Sequence, residues 1–427
     1  MELFIKGGRI IDPYQSIDGK YDMLISQGKI SLIEKDIDHD RAKGYDFIEA
    51  SGKIICPGLI DMHTHLREPG REDKETIATG CAAAVAGGFT SVACMPNTNP
   101  VNDNASVTKF ILDEAAKAGT CHVLPIGSIS KSLKGEHLSE IGELKQAGVV
   151  ALSDDGKPVS NADLMRRAME YASMFDLTVI SHCENLELSG DGVMNEGYVS
   201  TLLGLKGIPN AAEEVMIARD ISLCRLTKCP VHIAHVSTKD SVDLIRRAKK
   251  EGLPITAEVT PHHLFFTDET VKAFDTNTKV NPPLRTQTDI DALIKGLKDG
   301  TIDVIATDHA PHTKADKDVD YNNAPFGLIG LETALPVIIT LLYYQSHLAL
   351  KDIIKKMTLN PAQILKLPCK GFIPGEAADI TIIDPQKVKI VDVEQFHSKS
   401  RNCPFHGLKL KGWPVMTILE GTIVFKE

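Results

Sequence analysis

No stretch of the 427 residues reaches the roughly 18 consecutive apolar residues of a membrane-spanning helix; the longest candidate, Leu335 to Tyr344, has only helix-core length. No dense Lys/Arg block occurs, and the net charge of −10 works against nucleic acid or an anionic membrane surface as the main partner. The opening MELFIKGGRIIDP has no basic region, long apolar core or small-residue cleavage site of the secretory kind, so a cytoplasmic protein is expected. No CxxC pair is found among the nine cysteines: Cys56, Cys81, Cys94, Cys121, Cys183, Cys224, Cys229, Cys369 and Cys403. An odd number in a chain this long favours reduced thiols over a disulfide framework. A small anionic substrate stays open, because buried metal ions and one arginine can make a pocket positive inside an acidic protein.

What is present is an ordinary globular composition, 43% hydrophobic and 24% charged with 32 glycines and 22 prolines. The chain is longer than one barrel of about 250 residues needs, so a second, smaller domain is expected. Residues 2 to 34 read as short strands with turns at Gly7-Gly8 and Gly28-Lys29, and residues 379 to 425 read the same way. Between them eight apolar runs alternate with helical stretches: KIICPGLIDMHTH, FTSVACMP, HVLPIG, GVVALSDD, LTVISHCE, PVHIAHVS, PITAEVTPHH and IDVIATDH. Eight strand and helix units spell a (β/α)8 TIM barrel. The expected organisation is a barrel over 56–367 and a small β-sandwich domain formed by both termini, 1–55 and 368–427.

Barrel chemistry is staged at the carboxyl ends of the strands. Five of the eight runs end in a possible metal ligand: His63 and His65, Asp154-Asp155, His182, His235, and Asp308. His63 and His65, two apart, project to one side of a strand, where both rings can approach one ion. Imidazole and carboxylate together suit a borderline divalent ion such as Zn2+, and their number favours two ions. Asp308 in ATDHAPH is the general-base candidate, able to take a proton from water and pass it to a leaving nitrogen; the plainer alternative is that it only ligates or orients. Cys183 is expected to pack away from its neighbour His182.

These residues lie in PGLIDMHTHLREPG (57–70), MPNTNP (95–100), SDDG (153–156), NPPLR (281–285) and ATDHAPH (306–312), joined by PGEAADITIIDP (374–385). Over essentially its full length the chain resembles the dihydroorotases of the long, class I bacterial type, within the cyclic amidohydrolase superfamily. The resemblance implies two Zn2+ ions per subunit, with His63, His65 and Asp308 on one, His182 and His235 on the other, and Asp155 bridging them. Related hydantoinases, allantoinases and short-type dihydroorotases generally bridge with a carboxylated lysine, which leaves Lys157 as an alternative. Substrate contacts carried over by the resemblance are His65, Arg67 and His312 with Asn97 around the carboxylate, and Asn281, Phe326 and Gly327 along the ring amide edge. Each has a plain reading as well: surface ion pair, turn former or loop histidine.

The implied reaction is reversible hydrolytic ring opening of (S)-dihydroorotate to N-carbamoyl-L-aspartate by a metal-bound hydroxide, with Asp308 as base and then acid. Allantoinase, hydantoinase, or a non-catalytic partner of aspartate carbamoyltransferase are the competing roles. A homodimer and association with aspartate carbamoyltransferase are the implied assemblies. His232, His262 and His263 match no family ligand and are expected to support the core or the ligands. The polar segment TKADKDVDYNNAPF, between His312 and Gly327, reads as a mobile lid or a solvated connection.

Overall fold

Alternating and continuous apolar runs separate into two large sheets. The computed structural model describes residues 1–368 and 371–427; Cys369 lies outside them. The first sheet begins with β1 (Leu3–Asp12), β2 (Ile17–Ser26), β3 (Lys29–Glu34), β4 (Asp46–Glu49) and β5 (Ile54–Pro57). Gly7-Gly8, expected to be a turn, lies inside β1, where pairing with β2 shifts register between Ile5 and Gly8. The positive φ of Gly7, 77°, serves a bulge there. The chain reverses at 13–16 instead, where the Asp12 carboxylate accepts from the backbone N–H groups of Tyr14 (2.8 Å) and Gln15 (3.3 Å).

The run 53–65, read as one strand, divides at Gly58. β5 joins the terminal sheet, and β6 (Leu59–Thr64) opens the barrel. A Cβ at Gly58 would lie 2.0 Å from Oγ1 of Thr90, a stiff β-branched side chain. Gly58→Ala is therefore expected to lower stability by about 2 kcal/mol through overpacking. An unchanged midpoint in a urea melt would show that Thr90 yields freely.

The barrel continues with β7 (Phe89–Cys94), β8 (His122–Gly127), β9 (Ala151–Ser153) and β10 (Thr178–Ser181). After the small pair β11 (Met194–Asn195) and β12 (Gly207–Ile208), it resumes with β13 (Val231–Ile233), β14 (Ile255–Val259) and β15 (Val304–Ile305). The eight barrel strands run parallel in chain order. The ring closes between its ends where Thr64 bridges His309 and the His65 N–H donates to the His309 carbonyl at 2.8 Å. Met62, Ala93, Ile126, Ala151, Ile180 and Val304 come from six strands around the ring yet pack in one cluster, which only the barrel interior permits.

Outside, strand residues such as Leu152, Val179, Ile233 and Ala257 pack with Ala168, Met169, Ile217, Ile245 and Leu293 of the surrounding helices. Those helices occupy Ala162–Met174, Ala211–Thr227, Lys239–Lys250 and Gln287–Asp299. Several start at side-chain caps, for example Asn161 on the N–H groups of Asp163 and Leu164, and Thr238 on Ser241. The chain then returns through β16 (Ile380–Ile390), β17 (Lys409–Leu419) and β18 (Thr422–Lys426). β16 pairs antiparallel with β5, so the terminal sheet runs β18-β17-β16-β5-β1-β2-β3, with β4 on β1. Its own core includes Leu3, Ile5, Ile10, Met23, Ile55, Ile380, Met416 and Ile418.

The (β/α)8 barrel and the flanking β-sandwich built from both termini are thus present as expected. The eight described cysteines are buried and unpaired. Leu335–Tyr344 falls in a short helix, Ala334–Ile338, that runs on into a π-helical stretch, Ile339–Tyr343. No described helix is long and apolar enough to cross a membrane.

Candidate metal and substrate site

Strand alternation selects which acids and histidines face the barrel mouth. At the end of β9 the two aspartates part company. Asp154 turns to the loop after β8, accepting from the N–H groups of Ile129 (2.7 Å) and Ser130 (3.0 Å) and from the Ser130 hydroxyl. Asp155 faces the centre. Its Oδ1 lies 3.3 Å from His63 Nε2, 3.5 Å from His182 Nδ1 and 3.6 Å from His235 Nε2, and its Oδ2 is 3.4 Å from His65 Nε2. Asp308 Oδ1 is 3.0 Å from His65 Nε2 and 3.5 Å from His63 Nε2. Lys157, the alternative bridge, is exposed on the outgoing loop.

Two overlapping triads follow: His63, Asp155 and His235, and His63, His65 and Asp308, each with ligand atoms within 4.8 Å of one another. His63 belongs to both. In the second pairing implied by the family resemblance, His182 stood with His235. Here His182 Nδ1 lies 2.9 Å from His235 Nε2, while its Nε2 is held by Glu184 Oε2 at 3.2 Å.

The fit to divalent ions can be tested on unmet polar atoms. His63 Nε2 and Asp155 Oδ1 are buried without a hydrogen-bond partner, although such atoms are expensive to leave unmet in a core. Charge tells the same story. Burial would raise Asp308 and Asp155, but the charge of His63 and the nearness of the other histidines outweigh it and hold both carboxyls well below the usual range. Burial would lower His63 and His182, but the surrounding carboxylates win, raising His63 strongly and His182 to about 10. A centre that draws this much positive charge onto imidazoles suits a dication in the same place.

The far sides of the histidine rings are held too. His63 Nδ1 lies 2.6 Å from Glu258 Oε1, and His65 Nδ1 lies 2.8 Å from Asn97 Oδ1. His232 bonds Glu258 Oε2 at 3.1 Å and Thr256 at 2.8 Å, and His263 bonds Thr260 and the Pro282 carbonyl. His262 is buried near Asp308 with its Nε2 unmet, and burial pushes it down to about 4. Cys183 points away from this centre, its thiol 3.5 Å from Asp220 and pushed up by burial.

Arg67 sits two residues beyond His65 with φ of 64° and donates through Nε to the Pro311 carbonyl at 3.1 Å. His235 (φ 31°) and Asp308 (φ 50°) share this left-handed backbone, a strain that collects at functional sites. Burial lowers Arg67 to about 10, still cationic at neutral pH. His312 lies 3.5 Å from the Arg67 guanidinium; burial and the charges of Arg67 and Lys74 push it down to about 2, so its ring is neutral. Its Nδ1 is 3.1 Å from Lys74 Nζ, and its Nε2 bonds the Phe326 carbonyl at 2.8 Å. Gly327 has φ of 126° and its carbonyl accepts from Asn402. Asn281 donates to Glu184 at 2.9 Å.

Residues 52–241 match a family described as dihydro-orotase-like. The chain is 55% identical to a dihydroorotase of Acetivibrio thermocellus, covering 100% of this chain and 99% of that one. It is 56% identical to a dihydroorotase of Pelotomaculum thermopropionicum, with 100% and 99% covered. The chain belongs to the dihydroorotase family. Among solved structures it superposes on an L-hydantoinase (dihydropyrimidinase) from Arthrobacter aurescens with TM-score 0.86 and 24% identity, covering 100% of this chain and 96% of that one. That likeness is one of fold.

Several residues of this dihydroorotase-family site escape a reading of sequence alone. Glu258 carried a signal, a lone carboxylate inside the apolar run PITAEV; Glu184 stands two residues after His182. Lys74 and Asn402 carried none, because their contacts come from segments far apart in the chain. The segment 313–326 is better anchored than its polarity suggests. Lys317 is buried, brought down to about 7 by desolvation, and donates to the carbonyls of Thr276 (3.1 Å) and Pro325 (2.7 Å). Lys279 binds the carbonyls of Tyr321 and Asn322, and Tyr321 is buried. Anchoring through lysine and backbone leaves no apolar periodicity to read.

Proposed function

We propose that the chain is a zinc-dependent dihydroorotase that opens the ring of (S)-dihydroorotate to N-carbamoyl-L-aspartate, and closes it in reverse. The observation that carries the reading is the junction of the His63, His65 and Asp308 triad with the half-buried Arg67 and its buried neighbour His312 at one barrel mouth. A cyclic amide held by its carboxylate at Arg67 lies beside both histidines and Asp308.

Zn2+ at His63, His65, Asp155, His182, His235 and Asp308 would polarise the ring carbonyl and make water more acidic. The protein's own groups do the rest. Arg67, with its planar fork of donors, binds the substrate carboxylate together with the Asn97 amide, and the neutral His312 joins that contact by turning to it the Nε2–H that otherwise goes to the Phe326 carbonyl. Asn281 and the backbone at Phe326-Gly327 meet the amide edge of the ring. Asp308, ionised at neutral pH, accepts a proton at its carboxylate from the attacking water. As the carbonyl carbon gains oxygen and its bond to nitrogen breaks, Asp308 returns that proton to the nitrogen, which leaves as a neutral ureido group.

The test is a substrate panel: protein reconstituted with Zn2+ and assayed on dihydroorotate, hydantoin and allantoin under one condition. Strong preference for dihydroorotate is expected, because only that ring carries a carboxylate for Arg67. Equal turnover of the uncharged rings would sink the assignment.

A further inference from the structure

Glu258 is the next-to-last residue of β14, fully buried, with both carboxylate oxygens engaged. Oε1 is 2.6 Å from His63 Nδ1 and also accepts the backbone N–H of His235 at 3.3 Å. Oε2 is 3.1 Å from His232 Nε2, whose other nitrogen is 2.8 Å from Thr256 Oγ1. His63 is the one histidine common to both ligand triads, and its Nε2 faces Asp155 and Asp308. His235, a member of one triad, sits at φ 31°, a backbone that side chains avoid without support. One carboxylate therefore touches the ring of one candidate ligand and the strained backbone of another.

We propose that Glu258 is a positioning residue for the metal centre: it fixes the Nδ1–H tautomer of His63, aiming Nε2 at its ion, and braces His235, while His232 and Thr256 hold Glu258 in place. The assignment rests on the metal reading given above. The physical reason is general. An imidazole that donates from its far nitrogen to a carboxylate is locked in orientation and becomes a better donor toward a cation. A core packing role alone would not place a carboxylate here, since an apolar side chain fills the interior at lower cost.

The test compares wild type with Glu258→Gln, each stripped of metal and titrated with Zn2+ against a chromophoric chelator. A glutamine keeps the shape but not the charge, and cannot accept from His63 and His232 at both ends. Wild type is expected to bind two ions. The variant should bind at least one of them about 10- to 100-fold more weakly, with metal-free melting temperatures that differ by less than the metal-loaded ones. Unchanged affinity and stoichiometry, with stability alone reduced, would overturn the assignment and leave Glu258 structural. Wild type that binds no Zn2+ would overturn the metal reading itself, and this assignment with it. Should the variant fail to fold, histidine 15N shifts of the wild type decide instead: Nδ1–H on His63 in the Zn2+-loaded protein is expected, and an Nε2–H ring would refute the proposal.

Discussion

Asp308→Asn is expected to fold normally and lose at least about 10³-fold in kcat, the scale on which positioned proton transfer contributes. The substitution preserves size and leaves an oxygen toward His65, so the barrel mouth keeps its shape. What disappears is the capacity to accept a proton and deliver it to nitrogen. An amide nitrogen is a poor leaving group unless protonated, so the loss falls on turnover more than on substrate binding. Steady-state rates at saturating Zn2+, with a thermal melt as the control for folding, make the comparison. Near-normal kcat would remove the proton-transfer role and leave Asp308 as a ligand only.

Arg67→Met should lower kcat/KM for dihydroorotate by about 30-fold to several thousand-fold, the range that corresponds to about 2–5 kcal/mol for breaking a desolvated charge pair. Arg67→Lys should restore little of it, since an ammonium cannot reproduce two parallel donors at the angle the guanidinium holds against Pro311. The discrimination against hydantoin, which lacks the carboxylate, should shrink in parallel. A loss of less than tenfold in the methionine variant, or equal losses on charged and uncharged rings, would move carboxylate recognition elsewhere.

The barrel was legible because period and punctuation agree: eight apolar runs, helices between them, polar residues at the run ends. The same logic exposed His63, His65, His182, His235 and Asp308, which the fold brings together. Asp155 was separated from Asp154 by the family resemblance; the structure supplies the physical reason, one residue facing the mouth and the other binding the loop at Ile129-Ser130. The misread features are those where one residue type serves two geometries. A Gly-Gly pair marks a turn or a bulge equally, and β1 uses it as a bulge. The run 53–65 is apolar throughout, so nothing in its pattern showed that Gly58 passes the chain from one sheet to another. Glu258, Lys74 and Asn402 depend on partners that only the closed fold assembles.

The pairing of β16 with β5 also sets an order of events during synthesis. Cys56 and Thr381, joined through a thiol and a carbonyl, are 325 residues apart, so a ribosome finishes the whole barrel before the missing strand exists. At ordinary elongation rates the free edge of β5 waits on the order of tens of seconds. During that interval the nascent chain presents an unpaired apolar strand, the kind of surface that recruits holding chaperones or a neighbouring copy. Asn402, which braces His312 and Gly327, arrives later still. The face proposed to bind substrate is therefore among the last parts of the molecule to mature.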